Sequence, residues 1–183
     1  MHPEPVRYVP PVYRPPSEAE SLILPLTGPV PGLEALFAAL AAQTLVPARL
    51  IVAVESDSDP AAARARALAR MLPCPLEIVI AGTAERCGQK NANLVAALAR
   101  ITAGDQAVVM LDADIQPQPW WLSALATPVL EGEYDLVTGY RWPLPGGAGA
   151  MATLWAALDR GFAMILKPDS MGFAWGGSLA LSP

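Results

Sequence analysis

Residues Ala107–Leu111 form an uninterrupted apolar run that ends in Asp112-Ala113-Asp114, and no other stretch constrains the fold as strongly. An apolar run without alternation reads as a strand buried on both faces, as in the parallel sheets of α/β proteins. The C-terminal end of such a strand opens into a binding crevice. Two carboxylates one residue apart at that end repel each other unless a cation lies between them, and hard oxygen ligands select Mg²⁺ or Mn²⁺. The bland alternative is a strand followed by an Asp-rich turn, because Pro117 and Pro119 follow at once.

The rest of the chain alternates between strand and helix signals. Ser21–Pro25 is a short apolar strand, and Pro29-Val30-Pro31-Gly32 leads into a helix with Leu33, Leu36, Phe37 and Leu40 on one face. Leu50–Val54 is a second strand. Asp59-Pro60 starts the next helix as a cap followed by proline in the first turn, and that helix stops before Pro73. Leu76–Ile80 is a third strand, and Asn91–Ile101 a third helix with Leu94, Leu98 and Ile101 facing inward. Such alternation implies right-handed crossovers and a mostly parallel sheet flanked by helices. Loops 55–59, 82–90 and 112–116 then share one edge, which gathers Glu55, Asp57, Asp59, Lys90, Asp112 and Asp114 around one crevice.

A length of 183 residues suits one domain, and 53% hydrophobic residues suit a buried sheet. Residues 1–18 are proline-rich, with six prolines before Ser17, and read as an extended or disordered arm; residues 19–183 are the folded domain. A net charge of -5 argues against nucleic acid as a partner. Cys74 and Cys87 are too few for a disulfide scaffold and lack metal-ligand spacing, so a reducing, cytoplasmic setting is the default. No stretch reaches the ~18 apolar residues of a membrane helix, and the chain is expected to be soluble or at most peripheral at the cytoplasmic face of a membrane.

Four motifs occur in order: Pro25-Leu26-Thr27, Val54-Glu55-Ser56-Asp57-Ser58-Asp59-Pro60, Lys90-Asn91-Ala92-Asn93-Leu94 and Asp112-Ala113-Asp114. This series resembles the family-two nucleotide-sugar glycosyltransferases. It is most similar to their ceramide glucosyltransferase-like branch, through the Asp-Pro, the Lys-x-x-Asn-Leu, the run Asp135-Leu136-Val137-Thr138-Gly139 and the later Ala174-Trp175-Gly176-Gly177-Ser178. The resemblance covers roughly residues 20–183, and the ordered set is more specific than any one motif.

The resemblance implies a GT-A type, Rossmann-like domain that takes a hexose from a nucleoside diphosphate sugar, usually UDP-linked. The acceptor would be a lipid or another hydroxyl compound, and the transfer would proceed with inversion. Asp112 and Asp114 match the family's metal-binding Asp-x-Asp, with Mg²⁺ or Mn²⁺ as cofactor. Lys90 would sit beside the nucleotide or diphosphate. Asp59, or failing that Asp57, matches the first carboxylate near base and ribose; helix capping explains Asp59 as well, and the two roles are compatible. Thr27, Glu55 and Asn93 complete the donor side, although Lys90 and Asn93 also fit the solvated start of a helix. Trp175 and Gly176 are candidates for lining the sugar or acceptor pocket, whereas Trp120, Trp121 and Trp142 read as core or rim.

The catalytic base is not identified. Family members continue to an acidic motif carrying it, then to an Arg/Gln-x-x-Arg-Trp motif and membrane helices, whereas this sequence ends at Pro183. After Asp135 only Asp159 and Asp169 carry carboxylates, and neither lies in that motif. The chain is therefore read as a C-terminally truncated enzyme or as a donor-binding domain completed by something else. Along Ala148–Leu166, Met151, Leu154, Trp155, Leu158, Phe162 and Ile165 form a helical stripe. Core packing is the default for it; if uncovered, it is a surface for a membrane, a lipid acceptor or a missing segment.

Two other function classes fit parts of the sequence. A nucleotidyltransferase would need phosphate-cradling amides after the first strand, and Pro29 and Pro31 remove them there. A non-catalytic nucleotide-sugar-binding or interaction module is the reading that the missing base supports.

Overall fold

The structure is a computed structural model that describes residues 20–139, 149–165, 174 and 177–183. The proline-rich arm, Trp142, Asp169, Trp175 and Gly176 lie outside the described residues. The strands are β1 (Glu20–Pro25), β2 (Arg49–Val54), β3 (Leu76–Ile80), β4 (Ala107–Leu111), β5 (Leu136–Thr138) and β6 (Ser178–Leu181), and the helices are α1 (Leu33–Ala41), α2 (Pro60–Leu68), α3 (Gln89–Leu98), α4 (Trp121–Leu130) and α5 (Ala150–Ile165). One sheet runs β3-β2-β1-β4-β6-β5. It is parallel from β3 to β4, and β6 enters antiparallel between β4 and β5. The expected mostly parallel α/β sheet is therefore present.

The two faces are covered by different helices. Leu33, Leu36, Phe37 and Leu40 of α1, Ala61, Ala62 and Ala65 of α2, and Leu122, Leu125, Ala126 and Val129 of α4 bury one face over Leu22, Val52, Val109 and Leu111. Each such large side chain contributes ~1.5–3 kcal/mol on burial. On the other face α3 presses Ala97, with Leu94 and Ile101 beside it, onto Ile23, Ile51 and Val108. Because α1 and α2 lie on one face and α3 on the other, the chain reverses its winding between β1 and β4. That reversal leaves a crevice at the carboxyl ends of these two strands.

Three differences from the sequence reading have local causes. Helix α3 starts at Gln89 rather than Asn91 and ends at Leu98, where Leu98 is exposed and Ala97 takes the buried place. Helix α4 is an element for which the sequence reading named no candidate; its Pro128 sits in the last turn, where one lost amide is outweighed by a buried apolar face. The described part of the stripe on α5 is not core: Met151, Leu154, Trp155 and Leu158 are 77%, 53%, 74% and 50% exposed. Among the described side chains of this helix the buried one is Ala156, on another side, and the side chains of Phe162 and Ile165 lie outside the described residues. Among the described residues no helix is long and apolar enough to cross a membrane.

At the opposite, amino edge of the sheet, Asp105 is locked in a polar cluster. It accepts from the Ser21 hydroxyl, from Arg49 at 2.9 Å, and from the Thr102 amide and hydroxyl at 2.8 and 2.9 Å. Burial alone would raise this carboxyl, but the hydrogen bonds and the guanidinium outweigh it and hold it below its ordinary value near 3.8. A depressed folded-state value adds stability that is present above the unfolded value and lost as pH falls through the folded one. Asp105→Ala should therefore lower stability by ~1–3 kcal/mol at neutral pH. Urea melts of the wild type and variant should converge as pH drops below 3.8; a gap that stays constant into strong acid would refute the assignment.

Candidate functional site at the carboxyl edge

The crevice is built from the loops that follow β1, β2, β3 and β4. Asp112 leaves the end of β4 with its amide donating to the Gly177 carbonyl at 3.1 Å, beside the start of β6. Its Oδ1 pairs with Lys90 Nζ at 2.5 Å. Lys90 stands in the first turn of α3 with its side chain 53% exposed, against 28% for Asp112. Asp114 is exposed in the turn that follows. The strand-end carboxylate and the loop lysine predicted to share a crevice are thus in contact.

Gly177 keeps Asp112 open. It adopts φ +102, in the region that favours glycine, and a Cβ placed on it would lie 3.3 Å from Asp112 Oδ2. Further along, Gly139 donates to the Ser178 carbonyl at 2.8 Å, and a Cβ there would come within 2.7 Å of the Ser178 Cβ. This contact gives a packing reason for the glycine of the Asp135–Gly139 run. Trp121, expected at core or rim, is partly buried and donates from Nε1 to Ser178 Oγ at 3.0 Å, while Trp120 is exposed.

The acidic loop after β2 divides into three roles. Asp59 is 8% exposed and caps α2 by accepting from the Ala61 amide at 2.8 Å; both of its oxygens also lie 3.1 Å from the Gly28 amide. Gly28 has φ +64, so the loop after β1 turns back onto this carboxylate. Glu55 accepts from the Thr83 hydroxyl at 2.8 Å, tying the loops after β2 and β3 together. Asp57 is turned to α2, where it pairs with Arg66.

Asn93 is fully buried. Its Nδ2 donates to the Leu26 carbonyl at 2.7 Å and lies 3.5 Å from the hydroxyl of exposed Thr27, and its Oδ1 accepts from Gln89 at 2.8 Å. Both ends of this amide are spent on the protein. Two braces had no signal in the sequence. Gln89 is one; Gln43, from the end of α1, is the other. The latter donates to the Gln118 carbonyl at 2.9 Å and accepts from the Leu122 amide at 2.9 Å, which anchors the loop carrying Asp114.

Among the described residues no three His, Cys, Asp or Glu side chains come together as a metal cage. Two carboxylates at an open edge instead suit a hard cation that completes its shell with phosphate oxygens, the usual mode for Mg²⁺. Asp112, whose Oδ2 faces the bare Cα of Gly177, and the exposed Asp114 fit that donor set.

An α/β sheet with a carboxylate-bearing strand end at its winding reversal belongs to the doubly wound class of folds, whose ligand crevice lies at that reversal. Glycosyl transferase family 21 matches residues 8–175, and the chain belongs to that family. The motif series itself resembles family two. Crystal structures of glucosyl-3-phosphoglycerate synthase from Mycobacterium tuberculosis share the fold. The complex with phosphoglyceric acid is 25% identical with a TM-score of 0.55, covering 90% of this chain and 56% of that one. The complex with Mn²⁺ and UDP-glucose gives the same identity, score and coverage, 25%, 0.55, 90% and 56%. A mycobacterial protein is also similar, at 25% identity and a TM-score of 0.58, with 90% and 53% covered. The chain thus spans a little over half the length of these proteins. No curated protein sequence matches it.

Proposed function

We propose that this chain binds a uridine diphosphate hexose at the carboxyl edge of its sheet and passes the hexose to a hydroxyl acceptor. The observation that carries this reading is the Lys90–Asp112 pair at the winding reversal, in a chain of a glycosyltransferase family. The similar synthase, crystallised with Mn²⁺ and UDP-glucose, supports the donor class. Asp112 and Asp114 are the residues to hold Mg²⁺ or Mn²⁺, which when bound neutralises the diphosphate that leaves as the sugar carbon becomes positive.

The chain's own residues then divide the work. Lys90 offers a compact point charge to a phosphate oxygen once its carboxylate partner is otherwise engaged. Thr27 and Glu55 lie on the side proposed for base and ribose, with Asp59 proposed as the first carboxylate there and Asp57, paired with Arg66, as the lesser candidate, and Asn93 holds that rim from behind. Trp175 and Gly176 are proposed to border the hexose. Residues 19–183 form the donor-binding domain in this reading.

The finer points rest on the motif resemblance: inversion, the ceramide glucosyltransferase-like branch and a lipid acceptor. The exposed apolar side of α5 favours a lipid acceptor and peripheral membrane contact, whereas the synthase complex with phosphoglyceric acid favours a small phosphorylated one.

The test is calorimetry with UDP and uridine in the presence of Mn²⁺. The wild type should prefer UDP, and Lys90→Ala should lose ~1.5 kcal/mol on UDP with little change on uridine, the low end for a charged hydrogen bond because the ammonium is half-exposed. Equal losses on both ligands would remove Lys90 from the phosphate, and a wild type that binds neither would end the donor reading.

A further inference from the structure

Gln89 opens α3 immediately before Lys90, and its carboxamide makes three hydrogen bonds. Oε1 accepts from the Ala84 amide at 2.9 Å, and Nε2 donates to the Gly82 carbonyl at 2.8 Å and to Asn93 Oδ1 at 2.8 Å. Asn93 carries the chain on to the Leu26 carbonyl at the end of β1. One side chain therefore ties together the loop after β3, the first turn of α3 and, through Asn93, the loop after β1. Lysine has a long, freely rotating stem, so where its ammonium lies depends on how firmly its backbone is held.

We propose that Gln89 is a positioning residue: it fixes the first turn of α3 so that Lys90 meets Asp112, and thereby sets how well the site separates a diphosphate from a bare nucleoside. Only the last clause rests on the donor reading above. The bonding pattern makes a sharp demand, one acceptor and two donors on the same planar group. Glutamate has the same shape but no donor. At Gln89 a carboxylate would face the Gly82 carbonyl and Asn93 Oδ1, and Asn93 cannot reverse its amide because Nδ2 is committed to Leu26. A residue that merely begins a helix behaves oppositely, since the positive end of the helix dipole favours a carboxylate over an amide.

Gln89→Glu and Gln89→Ala are compared with the wild type in two assays, after thermal melts confirm folding. Zero-length carbodiimide coupling of Lys90 to Asp112, read by mass spectrometry, reports the contact without any nucleotide. Calorimetry with UDP and uridine reports discrimination. Both variants should lose the cross-link, and the UDP preference should fall by up to ~tenfold, the worth of one charged hydrogen bond from Lys90. Wild-type cross-linking in Gln89→Glu overturns the proposal whatever the nucleotide data show, and so does a wild type that gives no cross-link. If the variants lose the cross-link while the wild type itself binds UDP and uridine alike, the brace stands and the donor reading falls.

Discussion

Replacing Asp112 and Asp114 together by Ala is expected to abolish cation-dependent binding of UDP while leaving the fold intact. Asp114 is exposed and the Asp112 side chain is 28% exposed, so neither carboxylate supports the core. A bound divalent cation is worth several kcal/mol to a diphosphate leaving group, and each 1.36 kcal/mol is tenfold, so the loss should be ~10²-fold or more. Lys90 is left without its partner in the variant and can retain a weak, cation-independent hold on phosphate. Calorimetry in Mn²⁺ and in EDTA separates the two contributions. Equal wild-type affinity in both media, or a double variant that binds as the wild type does, would sink the metal role.

The second large effect is on stability. Asn93→Asp preserves size and shape but turns the Nδ2 donor into a charged acceptor facing the Leu26 carbonyl, which is now 2.7 Å from Nδ2. The position is fully buried. An uncompensated buried charge costs ~3–5 kcal/mol, so the melting temperature should fall by on the order of 10 °C for a chain of this size. Burial disfavours the ionised form, so the new carboxyl titrates above its ordinary value and the penalty is relieved as pH falls, when the acid can donate to Leu26 again. A variant that melts like the wild type at neutral pH would show that this amide is not a buried link between α3 and β1.

Much of this architecture was legible in local sequence. Apolar runs placed β1, β2, β3 and β4 within a residue of their observed limits, most cleanly the interior strands β2 and β4, whereas β3 at the sheet edge admits Glu77. Asp59-Pro60 marked the start of α2, since an Asx cap followed by proline is a pattern of adjacent residues. Strand–helix alternation was enough to bring Lys90 and Asp112 to one edge. Helix α4 had no counterpart in the sequence reading; Pro128 stands inside it, and burial of Leu122, Leu125, Ala126 and Val129 stabilises it. The α5 stripe misled because periodicity shows that a face is apolar, not that anything covers it.

The sequence by itself determined the limits of β1 to β4, the Asp59 cap and the edge on which the chemistry gathers, which follow from short local patterns and their alternation. Only the tertiary structure decided what each polar residue on that edge does. Asp59 closes on Gly28, 31 residues away, and Asn93 on Leu26, 67 residues away, while Asp57 turns outward to Arg66. Gln89 and Gln43, unremarkable in the sequence, hold the loops that present Lys90 and Asp114. A buried amide or carboxylate must find a partner wherever packing brings one. Which partner that is follows from the sheet order and not from the residues beside it in the chain.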